Sequence, residues 1–242
     1  MIPRRPLPRL LLTAFAALCL VHLTVQVTGP AEWSRPTQGL LMPVLAALVV
    51  SAVPRPYDRL TWLVLAALAF SWLGDTVPVL ADGDTAMLVL IGFFLVAQVV
   101  YAIAFWPLRG ESILHRRRGL VVVYALVVGV LVGVCLPGAG PLVVPAVLYG
   151  VVLGTMAVLA TGVHRLAAVG AVLFVFSDAL IALRAFVPVF DLPHDGVWVM
   201  ATYTAAQVLI VLGVLARKDG ERIGTPGPLP HGEPAREQPE RM

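Results

Sequence analysis

The chain is 242 residues long, 59% hydrophobic and only 13% charged, with a formal net charge of +3 and a mean hydropathy of +0.90. A water-soluble fold of this length cannot hide so much apolar surface in one core. The same composition excludes a disordered chain, a disulfide scaffold and a DNA-binding domain, and the two cysteines, Cys19 and Cys135, both sit inside apolar runs. What remains is an all-α polytopic membrane protein.

A helix crossing the hydrocarbon core needs about 20 mostly apolar residues. Eight segments meet that requirement: 10–27, 39–53, 60–80, 85–106, 119–136, 142–161, 166–187 and 197–216. The first follows a basic start and is read as a retained helix, because no small-residue cleavage site follows it. The second is short and contains Pro43, which predicts a kink or an earlier start near Thr37. Pro54-Arg55-Pro56 ends it. Asp82-Gly83-Asp84 turns the third span into the fourth, and residues 137–141 separate the fifth from the sixth. Breaks this short make consecutive spans antiparallel neighbours. The transmembrane domain is thus expected over 1–216. From Arg217 the composition turns to Pro, Gly, Glu and Arg, and 217–242 is expected to be a disordered cytoplasmic tail.

Orientation follows from the basic residues. Fifteen of the 17 lie before the first span, between spans two and three, four and five, or six and seven, or after the eighth; only Arg35 and Arg184 lie on or near the other side. The positive-inside bias therefore predicts both termini in the cytoplasm, in agreement with an even number of spans. The expected location of this integral membrane protein is the bacterial plasma membrane.

Only two acidic side chains fall inside the apolar spans, Asp75 in the third and Asp178 in the seventh. Each costs on the order of 3 kcal/mol at a helix centre, so their presence wants a reason. Counted from Arg59 and Arg165 they differ in depth by only about 5 Å. Gly74 and Ser177 precede them; small residues permit close helix approach, and Ser71 and Ser177 can donate hydrogen bonds. Two carboxyls converging inside a bundle are equipment for paired general acid and base work. The bland alternative is that each merely makes a polar helix contact or pairs with Arg184. Further polar side chains share faces: Gln98 with Tyr101, and Tyr203 with Gln207, while Gln38 opens the second span. Each serves equally as an interhelical hydrogen bond. Arg184 is placed to snorkel to the interface or to bind a phosphate there. The five histidines have no metal-site spacing and only His22 lies in a span, so no metal and no cofactor is expected. No Gly-rich phosphate loop and no nucleophile elbow occurs.

Five runs in register carry a resemblance: Thr37-Gln38-Gly39-Leu40-Leu41-Met42-Pro43, then 70–75 ending in Gly74-Asp75, 93–101 with Gln98 and Tyr101, 170–178 ending in Ser177-Asp178, and Thr202-Tyr203-Thr204-Ala205-Ala206-Gln207. In that order they resemble the YhhN-like family of membrane lysoplasmalogenases. The resemblance implies eight helices, a lysophospholipid substrate taken from within the bilayer, and hydrolysis of its vinyl ether bond to a fatty aldehyde and a glycerophospho-alcohol. It implies catalytic roles for Asp75 and Asp178. The polar side chains around them, Gln38, Gln98, Tyr101, Ser177, Arg184, Tyr203 and Gln207, are then the candidate substrate contacts, with Arg184 standing where members often have Asn or Asp. Many members carry Lys at the position of Gln38 and His at that of Gln98, so two neutral amides stand here where the family often has titratable groups. Two other readings use the same aspartates: an intramembrane aspartyl protease, which lacks its second upstream Gly and its Tyr-Asp partner here, and a proton-coupled transporter, hinted at by the recurrence of the small-residue-plus-Asp element four spans apart.

Overall fold

The computed structural model describes residues 6–29 and 31–224, and every regular element among them is helical. Eight helices are long and apolar enough to span a membrane: α1 (Pro6–Thr28), α2 (Ala31–Ala52), α3 (Arg59–Thr76), α4 (Gly83–Phe105), α6 (Arg118–Cys135), α7 (Val143–Ala160), α8 (Arg165–Phe186) and α9 (Asp195–Gly224). A four-residue helix, α5 (Ile113–Arg116), lies in the connection after α4. In hydrocarbon every backbone polar group must be satisfied within the protein, which is why the described residues form helices joined by short turns.

Local chemistry sets the ends. Asp58 caps α3, accepting from the Thr61 amide at 3.1 Å. Pro78 stops α3 at Thr76, and the chain finishes the crossing as a 3-10 turn, Val77–Leu80. Gly83 and Gly140 take positive φ at the turns into α4 and before α7, a conformation open to glycine. His164 caps α8 through its ring nitrogen, which accepts from the Leu166 amide.

α2 begins eight residues ahead of the predicted 39 and runs through both Pro36 and Pro43. Pro43 has no N–H to give the carbonyl of Gly39. That carbonyl accepts instead from the Trp72 indole N–H of α3 at 2.9 Å, so the missing helix bond becomes a tie between α2 and α3.

The helices pack as hairpins, α1 on α2, α3 on α4 and α8 on α9, with α4 against α7 joining the two halves. The α8–α9 contact is the most intimate. A methyl on Gly170 would stand 2.7 Å from the Ala206 carbonyl, and one on Gly213 would stand 2.5 Å from the Ala167 amide. α6 is the outlier: it rests on α7, where Val128 and Val132 meet Gly150 and Gly154, and only Cys135 is buried along its length.

At the end of the bundle nearer the termini, α9 continues eight residues past the predicted limit of 216. Arg217 reaches Glu111 with two hydrogen bonds of 2.7 Å and Glu221 with a third, and Lys218 pairs with Asp58. These pairs hold as helix a stretch whose composition alone reads as tail. The remainder of the predicted tail, 225–242, lies outside the described residues.

Candidate active site

Asp75 lies in the last turn of α3 and Asp178 about 12 Å from the Phe186 end of α8, both toward the end of the bundle remote from the termini. Each is partly buried, and their charges are close enough to interact directly. The bundle therefore brings together the two carboxyls that the sequence singled out.

Each aspartate is met by a tyrosine. The Tyr203 hydroxyl of α9 donates to Asp75 Oδ2 at 2.8 Å, and Gln38 Nε2 of α2 donates to Oδ1 at 3.3 Å. Gln38 is the residue before Gly39, so the Trp72–Gly39 bond fixes α2 against α3 at the level where this contact forms. The Tyr149 hydroxyl of α7 donates to Asp178 Oδ2. Beside Tyr203, one turn on along α9, Gln207 forms a second set of hydrogen bonds: Tyr101 OH donates to Gln207 Oε1 at 2.8 Å, and Gln207 Nε2 donates to Ser71 Oγ at 3.0 Å. Tyr101, Gln207 and Ser71 are fully buried. An interior network is costly when incomplete and stiffening when complete, and this one ties α3, α4 and α9 to one geometry.

Gln98 is the exception. It is fully buried beside Tyr149, and its amide approaches that hydroxyl without completing a well-formed hydrogen bond at either atom. Such incompletely bonded groups are rare in native interiors.

Phe94, Phe174 and Tyr203 stack edge to face with centroids 5.5–6.3 Å apart. Gly74 makes room for them, since a Cβ there would stand 2.7 Å from the Phe94 ring. Phe94 also walls a cavity of about 80 Å³ between α4, α6, α7 and α8. Asp178 and Tyr149 are the polar side chains at its wall; the rest is apolar, including Leu90, Ile91, Leu131, Cys135, Ile181 and Phe186. The space is several times what one water molecule occupies. Asp178 thus faces the cavity, whereas Asp75 sits outside its lining with Tyr203 and Gln38.

Two of the predicted contacts are elsewhere. Ser177 Oγ donates to the Val199 carbonyl at 3.0 Å and ties α8 to α9 rather than to either carboxyl. Arg184 pairs with Asp195 at 3.1 Å at the rim and is largely exposed, so neither aspartate of the site is its partner. The sequence reading missed Tyr149. Its signal was depth: it stands about 9 Å along α7 from Val143, at a level comparable with Asp178. Among the described residues no cluster of His, Cys, Asp and Glu could hold a metal ion.

The comparisons bear on the same stretch of chain. Residues 33–214 match the model of the YhhN family. The chain is similar to lysoplasmalogenase TMEM86B of Rattus norvegicus, 31% identical over 175 residues that cover 72% of this chain and 70% of that protein. It is likewise similar to lysoplasmalogenase TMEM86B of Homo sapiens, 33% identical over 185 residues, covering 72% of this chain and 73% of that protein. No solved structure matches. With the matched region running from the first turns of α2 to the middle of α9, through both aspartates and their tyrosines, the chain belongs to the YhhN family.

Proposed function

We propose that the protein is a lysoplasmalogenase of the membrane, hydrolysing the vinyl ether bond of a lysoplasmalogen with Asp75 and Asp178 as the acid–base pair. The observation that carries this reading is the paired arrangement itself: two carboxyls within electrostatic range, each held by a tyrosine, one of them facing an apolar cavity. The names of the relatives give the bond to be broken.

The two aspartates differ in their partners. Asp75 accepts two hydrogen bonds, as suits a carboxylate, which is an acceptor only. Asp178 has one donor at Oδ2, which leaves Oδ1 to carry a transferable proton into the cavity. In this mechanism Asp178 protonates the β-carbon of the vinyl ether, and the positive charge that develops at the α-carbon and ether oxygen is stabilised by Asp75. Water adds to the α-carbon and gives up its proton to Asp75. The hemiacetal then collapses as Asp75 passes its proton to the ether oxygen and the charged Asp178 takes the hydroxyl proton. The carbon–oxygen bond breaks to a fatty aldehyde and a glycerophospho-alcohol, both carboxyls return to their starting states, and one water is consumed. A close acid and base in a low-dielectric site is the arrangement that lets one group be neutral while its neighbour is charged. Gln98, buried beside Tyr149, positions the hydroxyl that meets Asp178, while Gln207, tied to Tyr101 and Ser71, lies beside Tyr203. Arg184, at the rim, meets the phosphate of the substrate in exchange for Asp195. Both termini lie in the cytoplasm, so the site opens toward the opposite face.

Purified protein incubated with choline and ethanolamine lysoplasmalogens is expected to release aldehyde. Asp75→Asn and Asp178→Asn each reduce that release by about 10²–10⁴-fold, the span of general acid–base catalysis, while thermal unfolding in detergent stays cooperative. Full activity in either variant overturns the assignment.

A further inference from the structure

The cavity that Asp178 faces has no wide polar mouth, and a single-chain lipid must reach it from the bilayer. We propose that the seam between α6 and α8 is the lateral entrance, and that the groove along it is the docking track for the substrate's hydrocarbon chain. This rests on the lysolipid reading above and says where such a lipid binds.

Three observations converge on that seam. α6 is the span with least burial, and grooves flank it on both sides, one toward α7 and one toward α8. A helix so seated separates from its neighbours at the lowest cost in lost contacts. Second, the α8-side groove is lined wholly by apolar side chains, with Val127 and Val130 of α6 facing Val175 and Phe176 of α8, and it meets the catalytic cavity at Leu131, which lines both. The groove touches α8 from Val172 to Leu183, about 16 Å of helix, which is close to half of a hydrocarbon core about 30 Å thick. One chain of a lipid in one leaflet spans that length. Third, the charge is at the correct end. Arg184 follows Leu183, the last α8 residue of the groove, and is mostly exposed in its pair with Asp195, so a guanidinium stands at the level of that end of the groove, where a lipid phosphate would lie. The groove between α6 and α7 also meets the cavity, at Val132 and Gly150, but from there it runs toward Trp106 and Leu114, the end of the bundle remote from Arg184, where no substrate phosphate would find that guanidinium.

The ligand is therefore a lipid with one chain and an anionic phosphate, seated with its head at Arg184 and its ether linkage level with Asp178. The test is photolabelling of the full chain in nanodiscs of diacyl phosphatidylcholine, using a lysophosphatidylcholine with a diazirine in mid-chain. Label is expected to concentrate on residues 126–134 and 172–183. Val130→Trp, which fills the groove from the lipid side, cuts that labelling about tenfold, while Leu20→Trp on the lipid face of α1 leaves it unchanged. Label spread evenly over the lipid-facing helices, or gathered in the α6–α7 groove, overturns the proposal, as does undiminished labelling of Val130→Trp. The readout is binding and needs no turnover. Failure of the catalytic reading shows separately, as absence of aldehyde from wild-type protein whose labelling pattern is as expected.

Discussion

Tyr149 and Tyr203 present the same hydroxyl to two aspartates from α7 and α9, and the difference between the two contacts is instructive. Tyr203 lies beside the hydrogen-bonded set of Gln207, Ser71 and Tyr101, and Asp75 has Gln38 as a second donor. Among the described residues Tyr149 is the hydrogen-bond donor to Asp178, with only the amide of Gln98 beside it. Removing a hydroxyl that bonds a charged or reacting group costs about 1.5–3 kcal/mol. Tyr149→Phe is accordingly expected to lower kcat about 10- to 100-fold with little change in KM. Tyr203→Phe loses less, because Gln38 still holds Asp75. Steady-state aldehyde release checks both, and an unaffected kcat in Tyr149→Phe refutes the role. At this scale the aspartates were legible in the sequence, being the acids inside apolar runs whose cost demanded a reason. Tyr149 was not, since a lone tyrosine among valines is equally at home at a lipid interface. The pairing of Arg184 with Asp195 was hidden too, because a turn of unspecified shape lies between them.

Among the elements, the eight spans were legible because hydropathy over about 20 residues is a long signal, and their ends were not because ends depend on single contacts. α2 shows why. Read alone, Pro43 marks a weakness; in the bundle its consequence is a carbonyl handed to Trp72, a partner 33 positions further along the chain. α9 shows the reverse, with Arg217 and Lys218 extending a helix into residues that composition assigns to a tail. The Lys218–Asp58 contact also gives α3 a pH-sensitive anchor outside the membrane. Partial burial pushes the Asp58 carboxyl up, but hydrogen bonds from Lys218 and Thr61 outweigh it and hold the carboxyl below the ordinary carboxylate range. A depressed carboxyl stabilises the fold above its unfolded-state value, near pH 4, and that contribution is lost as pH falls through the folded value. Asp58→Asn is therefore expected to lower the Tm in detergent at pH 7 by a few degrees, consistent with a cap worth about 1 kcal/mol. The difference between variant and wild type shrinks as pH is lowered below about 4. Equal gaps at pH 7 and pH 3 contradict the assignment.

Across the whole molecule, polarity is unevenly spread. The ion pairs of Arg217 and Lys218 gather at the end nearer the termini, whereas the interior hydrogen-bonded groups sit toward the other. The proposed orientation, with the termini cytoplasmic, predicts that a cysteine placed at exposed Val189, between α8 and α9, reacts with a membrane-impermeant maleimide added to intact cells. One placed at Arg117 reacts only after permeabilisation. The opposite pattern inverts the orientation.

The eccentric depth of Asp178 has a consequence for where the reaction's two halves go. In the proposed mechanism, a bond broken about 12 Å along α8 from its Phe186 end leaves the aldehyde's tail immersed in oil, while the alcohol, stripped of its chain, is released toward the aqueous compartment at that end. The enzyme would then partition its own output between two phases at the instant of cleavage, with no carrier for either.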